Sequence, residues 1–126
     1  MKQTISLIAS DELAPTPADV HVLQLANDAD PRSLALNAVQ RIDLHFPKFS
    51  DGRAYSQAFL LRRRLRYEGE LRATGDVLVD QVVQMQRCGF DSAVLRADQD
   101  LAVARHQFTH IEAFYQGDAR GAARVL

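Results

Sequence analysis

The chain has 126 residues, 47% hydrophobic and 25% charged, and its 15 basic and 16 acidic residues give a formal net charge of -1. This length fits one domain with one core, and the balanced charge gives no long-range attraction to nucleic acid or anionic lipid. The single cysteine, Cys88, excludes an internal disulfide and an iron–sulfur cluster held by one chain, which needs about four thiolates. No segment approaches the ~20 apolar residues of a membrane span, and the first apolar run is too short for a secretory signal. We therefore expect a cytoplasmic protein.

Apolar runs separated by turn residues divide the chain into alternating strands and helices. Residues 1–19 form an N-terminal extension, in which the run ISLIA predicts an edge strand and two prolines predict a linker. Residues 20–126 form a single α/β domain. Its predicted strands are residues 20–26, 41–46, 69–75 and 91–97, and its predicted helices are residues 33–39, 51–65, 76–89 and 101–117.

The predicted strands alternate between apolar and polar residues. In RIDLHF, Ile42, Leu44 and Phe46 share one face, and Asp43 and His45 share the other. Parallel strands covered on both faces are continuous apolar runs, so the alternation favours a sheet with one polar face, like the lining of a barrel. A full eight-unit barrel takes about 250 residues. We expect an α/β fold of alternating β-α units with a parallel sheet, half-barrel-like and completed by a second copy; a flavodoxin-like open sheet is the alternative.

Polar residues collect where the predicted strands end. In parallel α/β folds, ligands bind at the carboxyl ends of the strands. Lys48 and Arg53, beside a helix N-terminus, suit an anion, whereas Asp51 alone is explained by capping of that helix. The residues that we predict to bind an anion or a partner are Lys48, Asp51, Gly52, Arg53, Arg72, Gly75, Asp76, Asp80 and Gln81.

The candidates for acid–base catalysis are His45, Asp51 and Asp76. His45 lies two residues from Asp43 on the polar face, and a structural hydrogen bond between these two is the alternative interpretation. On the neighbouring strand, Glu70 and Arg72 are interpreted as an ion pair rather than a catalytic pair.

Other reactive residue types have simpler explanations. His106 and His110 have the spacing of a metal-binding pair, but no third ligand accompanies them, and a solvated helix face explains them. Cys88 is interpreted as a small packed residue, and the arginine-rich run 62–66 as a solvated helix face. The chain lacks the GxGxxG, GxxxxGK[ST] and GxSxG motifs. No metal and no cofactor are predicted.

Three sequence blocks, FPKFSDGRAYSQA, GELRATGDVLVDQ and RCGFD, resemble the signature blocks of a bacterial family of unknown function. Its members are labelled "oxidoreductase probably involved in sulfite reduction". The chain departs from the family pattern at Phe59, where arginine is usual, and in the residues SAVL after GFD. The resemblance covers about residues 40–91, and its matched positions are Phe46, Pro47, Asp51, Gly52, Arg53, Ser56, Glu70, Arg72, Gly75, Asp76, Asp80, Gln81, Arg87, Cys88, Gly89 and Asp91.

The resemblance implies a role in assimilatory sulfite reduction. Our first hypothesis is an accessory protein of that pathway, which binds a small oxyanion or a reductase component, with sulfite reductase or another sulfur-assimilation enzyme as the implied partner. The second is a half-barrel enzyme that acts on a small anionic substrate by acid–base chemistry. The third is a structural homodimer. No nucleic acid and no membrane are expected as partners.

Overall fold

Parallel strands and the helices between them build the structure, a computed structural model that describes residues 5–112 and side chains as far as His106. Within these residues, five strands form one parallel sheet in the order β1-β5-β4-β3-β2. The strands are β1 (Ser6–Ala9), β2 (Val22–Leu25), β3 (Arg41–Phe46), β4 (Glu70–Gly75) and β5 (Ser92–Leu95), and the helices are α1 (Arg53–Arg63), α2 (Val82–Cys88) and α3 (Leu101–Glu112).

The strand order confirms the prediction of an α/β fold with a parallel sheet. The sheet is open, since β1 and β2 lie at its two edges and do not pair with each other. From β2 to β5 the strands follow one another in chain order, without the reversal that defines a doubly wound sheet. β1, from the N-terminal extension, adds the edge strand beyond β5.

Two predicted helices differ from the observed structure. No helix forms at residues 33–39, where the chain makes only a short 3-10 turn, Pro31–Ser33. Asp30 accepts a hydrogen bond from the backbone of Arg32, and the extended backbone at Leu34 ends the turn. The helix predicted from residue 76 begins only at Val82, after a 3-10 turn at Val79–Gln81.

The two faces of the sheet differ as the alternation predicts. Ile42, Leu44 and Phe46 of β3 are fully buried beneath the helices, and α1 contacts α2, which contacts α3. On the other face, Arg41 and Asp43 form an ion pair at 2.8 Å. Asp43 therefore pairs with arginine, and no hydrogen bond joins it to His45 in the described part of the chain.

Polar side chains of neighbouring strands also bond across this face. Arg72 contacts Glu70 at 3.1 Å, which is the expected ion pair, and donates to the Ser92 hydroxyl at 3.0 Å. The Ser92 hydroxyl in turn donates to Glu70 at 2.7 Å. These contacts satisfy charged groups that are largely withdrawn from water.

The connection from β1 to β2 must cross the whole sheet, because these strands occupy opposite edges. Arg41, on the polar face, donates to the Thr16 hydroxyl at 3.2 Å. The linker therefore passes over the polar face, opposite the helices, and occupies part of the surface through which two sheets could meet.

Arg62 joins the chain segments at the amino end of the sheet. Its side chain is only 5% exposed and contacts the carboxylate of Asp91. It also donates to the carbonyl oxygens of Tyr67 and Gly69, both at 2.8 Å, and of Gly89 at 3.0 Å. The prediction that residues 62–66 form a solvated face is thus wrong for Arg62, which follows the buried Leu61 on the inner side of α1.

Asp91 and Gly89 complete this contact. The Asp91 carboxylate also accepts from the backbone N–H of Leu71 at 2.9 Å, so it ties β4 to the start of β5. Gly89 ends α2 with φ +106°, and a Cβ there would lie 2.6 Å from Cγ of Arg62. The position therefore needs glycine both for its left-handed backbone and for the room that Arg62 takes.

We predict that Arg62→Ala lowers the free energy of unfolding by about 3 kcal/mol, because it leaves Asp91 largely buried without its cation. Urea denaturation of the purified protein measures this. Arg32→Ala is the control, since its ion pair with Asp30 is exposed and its loss should leave the unfolding free energy nearly unchanged. Equal effects of the two substitutions would contradict a structural role for Arg62.

Candidate functional site

Four loops meet at the carboxyl edge of the sheet, one after each of β2 to β5. Asn27, after β2, donates to the Asp51 carboxylate at 2.7 Å, which links the first loop to the second. Asp76, after β4, accepts from the backbone N–H of Phe49 at 2.8 Å and from Arg96 at 2.7 Å, which links the second loop to the third and fourth. The structure thus brings together the loops in which the sequence places polar residues.

The two arginines of this edge are paired with carboxylates. The guanidinium of Arg53, the first residue of α1, donates to both carboxylate oxygens of Asp51, with its shortest bonds at 2.8 and 3.1 Å. Arg96 bridges Asp76 and Asp98, at 2.7 and 2.6 Å. Neither guanidinium is free to hold an anion alone, and an oxyanion would have to compete with these carboxylates.

Arginine pairing also sets the protonation of the carboxylates. Hydrogen bonds from Arg53 hold the pKa of Asp51 well below its usual range, and hydrogen bonds from Arg96 and the Phe49 amide lower the pKa of Asp76. The bond to Arg96 lowers the pKa of Asp98 to about 2. Because general acids and bases work best with a pKa near the operating pH, Asp51 and Asp76 are poorly suited to proton transfer near neutrality.

Asp51 also shapes the start of α1. The N-cap position belongs to Gly52, whose own Cβ would meet open space. Asp51 accepts from the Arg53 backbone N–H at 3.0 Å, so its carboxylate satisfies a free amide of the first turn from one residue before the cap. No contact at position 52 requires glycine. The hydrogen bond from the Arg53 amide explains the presence of Asp51.

The β3–α1 loop holds an exposed aromatic side chain in a fixed position. Phe49 is 49% exposed, yet its backbone N–H donates to Asp76 and its carbonyl accepts from the Gln81 side chain at 2.6 Å. The carbonyl of the preceding residue, Lys48, accepts from the Asp51 N–H at 3.0 Å. Lys48 is exposed, and it forms no ion pair with the described side chains of residues 5–106.

His45 and Gly75 lie against each other beside this loop. Gly75 has φ +94°, and a Cβ there would contact the Phe46 carbonyl and lie 2.7 Å from Cε1 of His45. Glycine therefore lets β4 end close to β3 while the exposed His45 ring covers the backbone. Among the described residues, no second catalytic group is bonded to His45.

Two of the predicted binding residues stand apart from this cluster. Arg72 lies in the middle of β4 on the polar face, where Glu70 and Ser92 bind it. Asp80 is exposed on the 3-10 turn before α2, and no hydrogen bond of its side chain is found in the described part of the chain.

Cys88 and the histidine pair add no reactive centre to the described structure. Cys88 is half-buried at the end of α2, and burial raises the pKa of its thiol, which opposes thiolate chemistry. His106 is exposed on α3, and the side chain of His110 lies outside the described residues. Among the side chains that are described, no three His, Cys, Asp or Glu residues cluster as metal ligands.

Several residues that hold the site together were not predicted from the sequence. Gln57 of α1 donates to the carbonyls of Ala26 and Ala29 at 2.8 and 2.9 Å and fixes the loop after β2. Gln99 accepts from the Val79 N–H at 2.9 Å and fixes the turn before α2. Of these residues, only Phe49 could have been found from the sequence. It is a large aromatic residue between a proline and the start of a helix, where no strand or helix face would bury it.

A family model described as "Bacterial protein of unknown function (DUF934)" matches residues 22–125. The chain belongs to this family. The matched region begins at the first residue of β2 and so leaves out β1. No curated protein and no solved structure gives a significant match. In the described part of the chain, no helix has the length and apolar character needed to cross a membrane.

We predict that Arg96→Ala raises the pKa of Asp76 and Asp98 toward the usual value of about 4. A depressed folded-state pKa means that the pairing stabilises the fold above about pH 4 and that this contribution is lost as the pH falls toward about 2. NMR titration of the carboxyl carbons measures the shift. Asp51, whose partner is Arg53, is the internal control; an unchanged Asp98 would contradict the assignment.

Proposed function

We propose that this protein is a cytoplasmic accessory protein of assimilatory sulfite or sulfate reduction, which binds a reductase component at the carboxyl edge of its sheet. The pathway is suggested by the resemblance of its three sequence blocks. The mode of action is supported by one observation above the others: Phe49 is an exposed aromatic residue on a loop whose backbone is fixed from both sides.

A rigid, exposed aromatic side chain suits protein binding. Aromatic residues are enriched among those that dominate interface energies, and a loop already held in one conformation loses little entropy when it binds. Around Phe49, the pairs Asp51–Arg53 and Arg96–Asp98 present both signs of charge at the surface. Such a rim contributes selectivity for a complementary partner.

Binding of a small oxyanion is the less favoured form of the proposal. Arg53 and Arg96 are already bonded to carboxylates, so an anion would gain a new partner only at Lys48 or by displacing Asp51, Asp76 or Asp98. Calorimetry with sulfite and sulfate tests this directly. Heat that disappears in Lys48→Ala would favour the oxyanion form over protein binding.

We predict that Phe49→Ala weakens binding to the assimilatory sulfite reductase of the same organism by roughly 30-fold or more, as truncation of an interface hot spot does. Biolayer interferometry with the purified reductase components measures the affinity. Val103→Ala is the matched control, because Val103 is also 49% exposed but lies on α3. Equal affinity of the Phe49→Ala and wild-type proteins would contradict the assigned surface.

A deletion strain tests the pathway itself. Growth should slow with sulfate as the only sulfur source and return to normal with cysteine, since cysteine bypasses the reduction. The wild-type gene should restore growth on sulfate, and the Phe49→Ala gene should not. Normal growth of the deletion strain on sulfate would separate the protein from the pathway, whatever the binding result.

A further inference from the structure

Three arginines at the end of α1 differ from the arginines that form ion pairs in the described structure. Arg63, Arg64 and Arg66 are exposed, and no carboxylate among the described side chains, residues 5–106, forms an ion pair with any of them. Six other arginines of the described chain are paired with a carboxylate. The arginines in such ion pairs are Arg32, Arg41, Arg53, Arg62, Arg72 and Arg96.

An exposed aromatic ring adjoins Arg63. Phe59 is 44% exposed, and the guanidinium of Arg63, one helical turn further along α1, lies 5.2 Å from its ring centroid. This cation–π contact holds both side chains on the outer face of the helix. The result is a surface of apolar and cationic groups at the amino end of the sheet.

Arg66 has a backbone conformation that its side chain does not favour. Its φ is +57°, and the following residue, Tyr67, donates its N–H to the Leu61 carbonyl at 2.9 Å. This left-handed conformation, two residues after the C-cap Arg64, is one that glycine adopts more readily because it has no Cβ. An arginine here lowers the stability of the fold, so the side chain is better explained by an interaction outside the chain.

A role at the helix terminus does not account for all three cations. Positive side chains in the last turn interact favourably with the helix dipole, and Arg63 on α1 meets that need. Arg64 and Arg66 lie beyond the last residue of the helix and form no side-chain hydrogen bond within the described part of the chain.

We propose that Phe59, Arg63, Arg64 and Arg66 form a docking surface for an acidic segment of a partner protein. Guanidinium groups bind carboxylates through paired hydrogen bonds, and Phe59 offers an apolar contact to a neighbouring side chain of the same segment. Three cations are few for nucleic acid, whose binding commonly uses six to ten phosphate contacts, and the net charge of -1 gives no long-range attraction to it.

This surface lies apart from the one around Phe49. Phe49 precedes α1, whereas Phe59 and Arg63 lie in the second half of this eleven-residue helix and Arg64 and Arg66 follow it. Such a helix is about 16 Å long. Acidic-segment binding therefore goes beyond the proposed role at the carboxyl edge. The two surfaces can be inactivated separately.

Fluorescence anisotropy with a labelled glutamate-rich peptide that carries a central leucine tests the proposal. The wild-type protein should bind it, should bind the same peptide with glutamines in place of the glutamates much more weakly, and should lose affinity as salt rises. The triple variant R63A/R64A/R66A should bind at least roughly tenfold more weakly. Arg32→Ala and Phe49→Ala should bind as the wild type does.

Arg66→Gly separates docking from folding. Glycine relieves the left-handed backbone, so the midpoint of thermal unfolding should rise by about 2–5 °C, while affinity for the peptide should fall. A destabilised protein cannot give this combination. The proposal is overturned by unchanged affinity of the triple variant or of Arg66→Gly, by no glutamate-dependent binding to the wild type, or by tighter binding of a single-stranded oligonucleotide than of the peptide.

Discussion

The contact between Arg62 and Asp91 determines how the end of α1 fits against β4, the end of α2 and the start of β5. Arg62 leaves the end of α1 and reaches carbonyl groups just before β4 and just after α2, while Asp91 stands at the start of β5 and accepts from the backbone of β4. A buried charge pair is costly unless its remaining donors and acceptors are satisfied. The carbonyl groups satisfy Arg62 and the backbone of β4 satisfies Asp91. The Arg62 side chain therefore fixes the end of α1, the start of β4 and the end of α2 at the same edge of the sheet.

The contacts that fix the amino edge of the sheet also fix its carboxyl edge. In parallel β-α units, the helices and strands run antiparallel to each other, so the register set by Arg62 at one end of α1 sets where the loop before α1 lies at the other. That loop carries Phe49 and Lys48. Its hydrogen bonds to Asp76 and Gln81 come from the next β-α unit. The backbone that carries the exposed ring is therefore fixed by the segment between β4 and α2 as well as by its own loop.

The sequence predicted the features that depend on periodicity. Alternation in RIDLHF gave the buried residues Ile42, Leu44 and Phe46 and the polar row opposite them. Convergence of the polar loops followed as well, because parallel strands end at the same edge. These inferences need only the two-residue repeat of a strand and the direction of the chain.

Features that depend on distant partners could not be predicted in the same way. Four arginines fall within residues 62–66, and only the packing of α1 against α2 and the sheet makes Arg62 the buried one. The pairing of Arg96 with Asp76 joins residues 20 positions apart on neighbouring loops. At residues 33–39, composition favoured a helix, but the local bond from Asp30 to the backbone of Arg32 produced a short turn instead.

The distribution of charge explains why binding of partners fits this protein better than a strong anion pocket. Along FPKFSDGRAYS, Asp51 binds the Arg53 amide of the first helical turn and neutralises the Arg53 side chain, so Lys48 is the one charge of this segment without an ion pair among the described side chains. The feature of this segment that suits a binding partner is the exposed Phe49 ring, which projects from a fixed backbone. At the other end of α1, Arg63, Arg64 and Arg66 form no ion pair with a described carboxylate, and Arg63 contacts the exposed ring of Phe59. The surface around Phe49 would therefore select a partner by shape, and the surface of Phe59 and the three arginines would select a partner by charge.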